Sequence, residues 1–154
     1  MYTELLWFHS NFRWIALFAL IYSFIVILVN KLKATIYSKN HFRTLVVICF
    51  ILDIQLVLGI LLFSESPIVS AFWQEVETTI KLRQTRFFGL EHPFMMVLGI
   101  SLYNYFIYKS KKTINTTEGY QYLFKRLLFV LLILLTSVPW SFSPLTSRPN
   151  YRIF

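Results

Sequence analysis

Four apolar runs, at residues 14–29, 45–63, 87–108 and 127–140, constrain this chain more than any other feature. Crossing the hydrocarbon of a bilayer takes about 20 mostly apolar residues in a helix. The second and third runs have that length, the first reaches it in a span of about 10–30, and the fourth by extending back to residue 120, with Lys125 and Arg126 snorkelling toward the headgroups. None of the runs alternates residue by residue, as strands of a lipid-exposed barrel would. Charged residues make up only 14% of the chain, against about 25% in a typical soluble domain. The reading is an all-α fold, a four-helix transmembrane bundle forming one integral membrane domain over residues 1–154. Its spans are expected at about 10–30, 44–64, 87–108 and 120–140.

A net charge of +8 would suggest nucleic acid in a soluble protein, but its distribution says otherwise. Segment 31–43 carries Lys31, Lys33, Lys39 and Arg43, and segment 109–126 carries Lys109, Lys111, Lys112, Lys125 and Arg126 against Glu118. Each segment contributes +4, and together they account for the whole excess. Both follow odd-numbered spans and so lie on one side, while segment 65–86 balances its acids and bases. The positive-inside rule then puts the basic loops in the cytoplasm and both termini outside. Trp7, Trp14, Trp73 and Trp140 all map to the outer boundary on this topology, as an interfacial aromatic belt would. The implied partner is the lipid bilayer, with no nucleic acid. Residues 1–10 hold no Lys or Arg and lead to no small-residue cleavage site, so the first helix is expected to stay in the chain. Cys49 is the single cysteine, which excludes an internal disulfide.

Between the second and third spans, Val69, Phe72, Trp73, Val76 and Ile80 recur at three- and four-residue spacing, with Gln74, Glu75, Glu77, Thr78 and Lys81 on the other face. That pattern predicts an amphipathic interfacial helix over about 67–82, acting as a cover for the bundle or a lid over a ligand site. The final segment, with two prolines and with Arg148 and Arg152, is expected to be extended beyond the last span.

The ionisable residues inside the spans carry the candidate chemistry. Counting about 1.5 Å per residue, Arg13 and His92 fall near the outer edge of a roughly 30 Å core, His9 about a turn further out and Asp53 near the midplane. His9 and Arg13 share a helix face at i, i+4 spacing. Pro93 fits the first turn of the third span, and Arg83 and Arg86 stand just outside it. Two imidazoles from different helices can ligate a haem iron from opposite faces, and Arg13, Arg83 and Arg86 can pair with its propionates. Glu91 could fix the tautomer of a ligating histidine, and His41 lies apart in a basic loop as a solvated residue. The structural alternative makes these side chains interhelical partners, such as His92 with Arg13 or Glu91 with Arg86. Asp53 and Gln55 cannot share a helix face, and Asp53 needs a partner such as Arg13 or Tyr22. No C-x-x-C-H is present, so thioether attachment of haem is excluded.

The phrases FHSNFRW (8–14), DIQLVLGILLF (53–63), RFFGLEHPFMM (86–96) and VPWSF (138–142), in this order, resemble a group of short four-helix membrane proteins of Bacteroidota described as cytochrome b-like. The shared elements fall on His9, Ser10, Arg13, Trp14, Glu91, His92, Pro93 and Met96. The resemblance implies a multi-pass protein of a bacterial inner membrane and haem b as cofactor. Some members carry histidine where this chain has Asp53, and there it departs from them. The function so implied is a small b-type cytochrome, passing electrons between a quinol and a partner. Two alternatives stand beside it: a non-enzymatic accessory subunit packed among other membrane protein subunits, and a site for quinone or a lipid headgroup without haem. No phosphate loop, zinc spacing or nucleophile motif suggests a stand-alone enzyme.

Overall fold

The computed structural model describes residues 1–142. The expected extended tail, including Arg148 and Arg152, lies outside the described residues. Every regular element among the described residues is helical: α1 (Tyr2–Leu32), α2 (Lys39–Glu65), α3 (Pro67–Gln74), α4 (Val76–Thr79), α5 (Arg83–Arg86), α6 (His92–Ser110) and α7 (Glu118–Ser137), with a π-turn at Phe87–Glu91 and a 3₁₀ turn at Lys111–Thr113.

Helices α1, α2 and α7 are long and apolar enough to cross a membrane. Their large apolar residues point outward as well as inward: Phe18 is 68% exposed, Phe50 64% and Phe129 56%. A helix apolar all round belongs in lipid or a deep core, and a chain of this size has no core deep enough for three. Helix α6 falls below that apolarity because His92, Pro93, Ser101, Asn104 and three tyrosines dilute its 19 residues. Three of the four expected spans are thus long and apolar enough to cross a membrane, and α6 packs among them.

Neighbour relations follow the short connections. α1 packs on α2 and on α7, and α6 packs on α7 and on α2, so α1 and α6 stand diagonally opposite. The interior holds Ile27, Leu45, Tyr103, Tyr120, Leu123 and Val130, all nearly inaccessible. Small residues allow close approach, as in membrane helix packing generally. A Cβ on Gly99 of α6 would lie 2.6 Å from Leu134 Cδ2 of α7. At the end bearing the basic segments the two loops are zipped together: Tyr37 N donates to Thr116 O (2.9 Å) and Asn115 N to Tyr37 O (2.8 Å).

The expected interfacial helix over 67–82 is broken. Glu75 leaves the helical region (φ −136°, ψ 61°) and separates α3 from α4. Val69 and Phe72 are buried, whereas Trp73, Val76 and Ile80, assigned to the same apolar face, are exposed. Once the chain bends at Glu75, helical spacing no longer carries the face across it. Phe72 packs closely on the π-turn, where a Cβ on Gly89 would come within 2.4 Å of its ring.

Backbone from Arg83 to Ser110 keeps right-handed helical dihedrals through the π-turn. Pro93 explains that turn, since it has no N–H for the carbonyl four residues back and its ring crowds the same carbonyl. The helix widens just before it, and His92 N donates to Phe87 O, five residues back.

Candidate functional site

At the end of the molecule away from the basic loops, the start of α1 and of α6 and the last turns of α2 and α7 surround a cavity of about 450 Å³, roofed by α3 through Ile68 and Val69. Its walls are mostly apolar, with Leu17, Leu52, Met96, Ile100 and Leu134 among them. Against them stand a few polar groups: His9, Ser10, Arg13, Gln55 and His92. A largely apolar cavity with convergent polar groups is what small-molecule and cofactor sites have in common.

His9 and His92 meet in this cavity from diagonal helices. Their ring centroids are 6.4 Å apart and their planes are 88° to each other. Nδ1 of His92 lies 2.7 Å from the carbonyl oxygen of Ser137 in α7. A carbonyl only accepts, so Nδ1 carries the proton and a neutral ring keeps its lone pair on Nε2. Phe87, with centroid 5.6 Å away and tilted by 31°, lies alongside the same imidazole. On the other side, Gln55 of α2 donates from Nε2 to His9 O at 3.1 Å. Arg13, one turn along from His9, lies in the cavity wall, with its guanidinium 5.4 Å from the centroid of Trp14; Trp14 in turn lies 6.3 Å from Trp140.

Compared with family models, with curated proteins and with solved structures, the chain matches none.

Other expected site residues lie elsewhere. Glu91 accepts from Arg86 Nε at 2.6 Å, and Arg86 also donates to Ile80 O. The histidine that Glu91 was expected to orient is held instead by the Ser137 carbonyl. Arg83 stands exposed on α5, and none of Arg83, Arg86 and Glu91 lines the cavity. α5 and the π-turn pack against α3, and of the π-turn it is Phe88 that faces the cavity. Asp53 takes neither Arg13 nor Tyr22; its Oδ1 accepts from Asn104 Nδ2 at 2.6 Å across the α2–α6 seam, and Tyr22 is exposed. Gln55 faces the other way, toward α1, as the helix period requires. His41 is not merely solvated, for its Nδ1 is hydrogen-bonded to the Tyr120 hydroxyl.

Sequence reasoning passed over Ser137, Asn104 and Gly59. Ser137 acts through its backbone, which leaves no side-chain signal. Gly59 was legible in principle, standing at i+4 from Gln55 and hence on the same face of α2. Among the described residues no group of three or more His, Cys, Asp or Glu is gathered, so a protein-only metal cage is not formed there. A porphyrin supplies four ligands itself and asks the protein for two.

Proposed function

We propose that the chain is a four-span protein of a bacterial inner membrane that holds one haem b between His9 and His92 and serves electron transfer linked to a quinol. The observation that carries this reading is the separation of the two imidazoles. Two imidazoles sharing one metal ion through bonds of about 2 Å, each with a ring radius of about 1.2 Å, would stand roughly 6.4 Å apart, centroid to centroid. The rings here are 6.4 Å apart. A shared metal ion would leave the angle between the two ring planes free, so 88° is compatible with it.

The donor set fits the group in three further respects. The Ser137 carbonyl holds His92 in the tautomer whose Nε2 is available to a metal, the usual arrangement for a ligating histidine. The apolar walls and the 450 Å³ volume suit a porphyrin, within the range of about 300–1,000 Å³ for ligand sites. Arg13 offers a guanidinium to a propionate from within the cavity wall. When bound, haem supplies one-electron transfer. The chain's residues would orient the imidazoles, shield the site from water and, through Arg13, pair with one carboxylate.

Membrane placement follows the charge pattern. Helix α6 makes the fourth span, its 19 residues covering about 28 Å and the helical path from Arg83 adding to that. The loops bearing Lys31, Lys33, Lys109, Lys111 and Lys112 face the cytoplasm.

The test is a reduced-minus-oxidised difference spectrum of the protein purified in detergent after expression with haem supplied. A b-type α-band that His9→Ala and His92→Ala each abolish or convert to a high-spin spectrum is the expected result. Colourless protein overturns the haem reading. Among such outcomes, copurification with a larger complex would support an accessory subunit, and saturable quinone binding a haem-free ligand site.

A further inference from the structure

Helix α2 touches the first of the two imidazoles in a way that a packing contact alone does not require. Gln55 is 9% exposed and reaches across to α1, where its Nε2 lies 3.1 Å from His9 O, 3.3 Å from His9 Nδ1 and 3.4 Å from His9 Nε2. An in-plane hydrogen bond to one imidazole nitrogen would bring the donor to about 2.9 Å of that atom and much further from the other, because the two nitrogens' in-plane directions diverge. Nearly equal distances put the amide against the ring between its nitrogens, where it engages neither fully. One turn along α2, a Cβ on Gly59 would stand 3.1 Å from His9 Cε1, the atom between those nitrogens. Gln55 and Gly59 thus form a notch at i, i+4 spacing that receives one side of the imidazole.

The other end of the amide sharpens the point. Gln55 Oε1 is buried without a donor among the described residues. A buried amide with one end unsatisfied carries a desolvation penalty that an apolar side chain of the same length would avoid. Its presence in an apolar span is explained if its N–H groups perform a task at His9.

We infer that Gln55 is a positioning residue for His9, with Gly59 as the opening that admits the ring, so that a nitrogen of His9 stays turned into the cavity and toward His92. The amide ties the ring to the backbone of its own helix through His9 O and restrains rotation about the side chain. The iron part of this inference rests on the haem reading; the orientation of the imidazole does not.

Two measurements separate them, each on the full chain in detergent with Gln55→Met, Gly59→Ala and the lipid-facing control Ile54→Ala. The first is ¹⁵N NMR of histidine-labelled protein without haem, with His9 assigned by its loss in His9→Ala. The wild type and the control should give one sharp set of His9 ring signals, and Gln55→Met should shift or broaden them as the ring gains rotational freedom. A His9 signal unchanged in both Gln55→Met and Gly59→Ala overturns the inference. The second is electron paramagnetic resonance of haem-loaded protein. Nearly perpendicular axial rings give a low-spin signal with a large principal g value, and either α2 substitution should move it while Ile54→Ala leaves it in place. A wild type that takes up no haem defeats the proposed function, and the NMR result still judges Gln55. A haem-bound signal that neither α2 substitution moves defeats Gln55 and spares the haem.

Discussion

His92 donates from Nδ1 to the main-chain carbonyl of Ser137 across 2.7 Å, joining the first turn of α6 to the last turn of α7. Carbonyls in the last turn of a helix have no donor within it, and Val138 and Pro139 carry the chain away from helical geometry. The imidazole supplies that missing donor and is in turn aimed by it. One contact therefore serves both the end of a helix and the orientation of a candidate ligand.

His92→Ala removes this donor and leaves the Ser137 carbonyl, whose residue is only 5% exposed, without its partner. The expected loss is about 1–3 kcal/mol, the penalty for an unsatisfied buried acceptor. Ser137→Ala should cost less, since the acceptor is backbone and only the Oγ bond to Ile133 O is lost. Thermal unfolding of both variants in one detergent, without haem, orders them; equal losses would contradict this account.

Gly99→Ala places a methyl group 2.6 Å from Leu134 Cδ2 and 2.9 Å from Leu134 Cγ at the α6–α7 contact. Overpacking a fitted interface costs about 1–3 kcal/mol. Leu134→Ala alone should also destabilise, but the double variant should lose clearly less than the sum of the two losses, because the shortened side chain no longer meets the added methyl group. A double-mutant cycle by thermal or denaturant unfolding reads that coupling, and strict additivity would argue against the contact.

Asn104→Leu strands the Asp53 carboxylate on the α2–α6 seam, whereas Asp53→Asn keeps a group able to accept from Asn104. The first substitution should lower stability more than the second. Coupling of the pair should stay under about 2 kcal/mol, the upper range for polar contacts between membrane helices. Unfolding of the two single variants and the double variant measures it.

Tyr37 closes the basic end, its hydroxyl 3.0 Å from Ser110 Oγ and its ring 5.1 Å from that of Tyr120. Burial pushes its hydroxyl up to about 12 from an ordinary value of 10.0. The folded chain therefore favours the neutral form, and the stabilisation is complete below pH 10 and lost as the pH rises toward 12. Tyr37→Phe should lower stability at neutral pH by about 1 kcal/mol, the typical worth of one hydrogen bond. It should also show a smaller alkaline loss than the wild type when unfolding is followed against pH.

Helices were legible because apolar length and helical period are local properties. The pairing of His9 with Arg13 on one face of α1 needed only the 3.6-residue repeat. Partners across helices were less legible. Asp53 was matched to Arg13 or Tyr22, yet it meets Asn104, because which residue of α6 lies level with it depends on how α2 and α6 slide past each other. The amphipathic pattern over 67–82 was present in the sequence, but one non-helical residue, Glu75, broke its continuity. Of the two roles the sequence offers Glu91, the structure shows the ion pair with Arg86 and not a contact with His92, since adjacent residues on a helix diverge by about 100°.

The sequence by itself determined an all-helical chain with membrane-length apolar runs and a lopsided positive charge, since hydrophobic length and charge are carried residue by residue. It also determined that His9 and His92 lie near the same end of their helices. Only the tertiary structure decided that these two face each other from diagonal helices, that a backbone carbonyl of α7 aims one, and that Gln55 and Gly59 of α2 cradle the other. Those relations depend on helix register, on the widened turn ahead of Pro93 and on backbone acceptors, none of which any single side chain records.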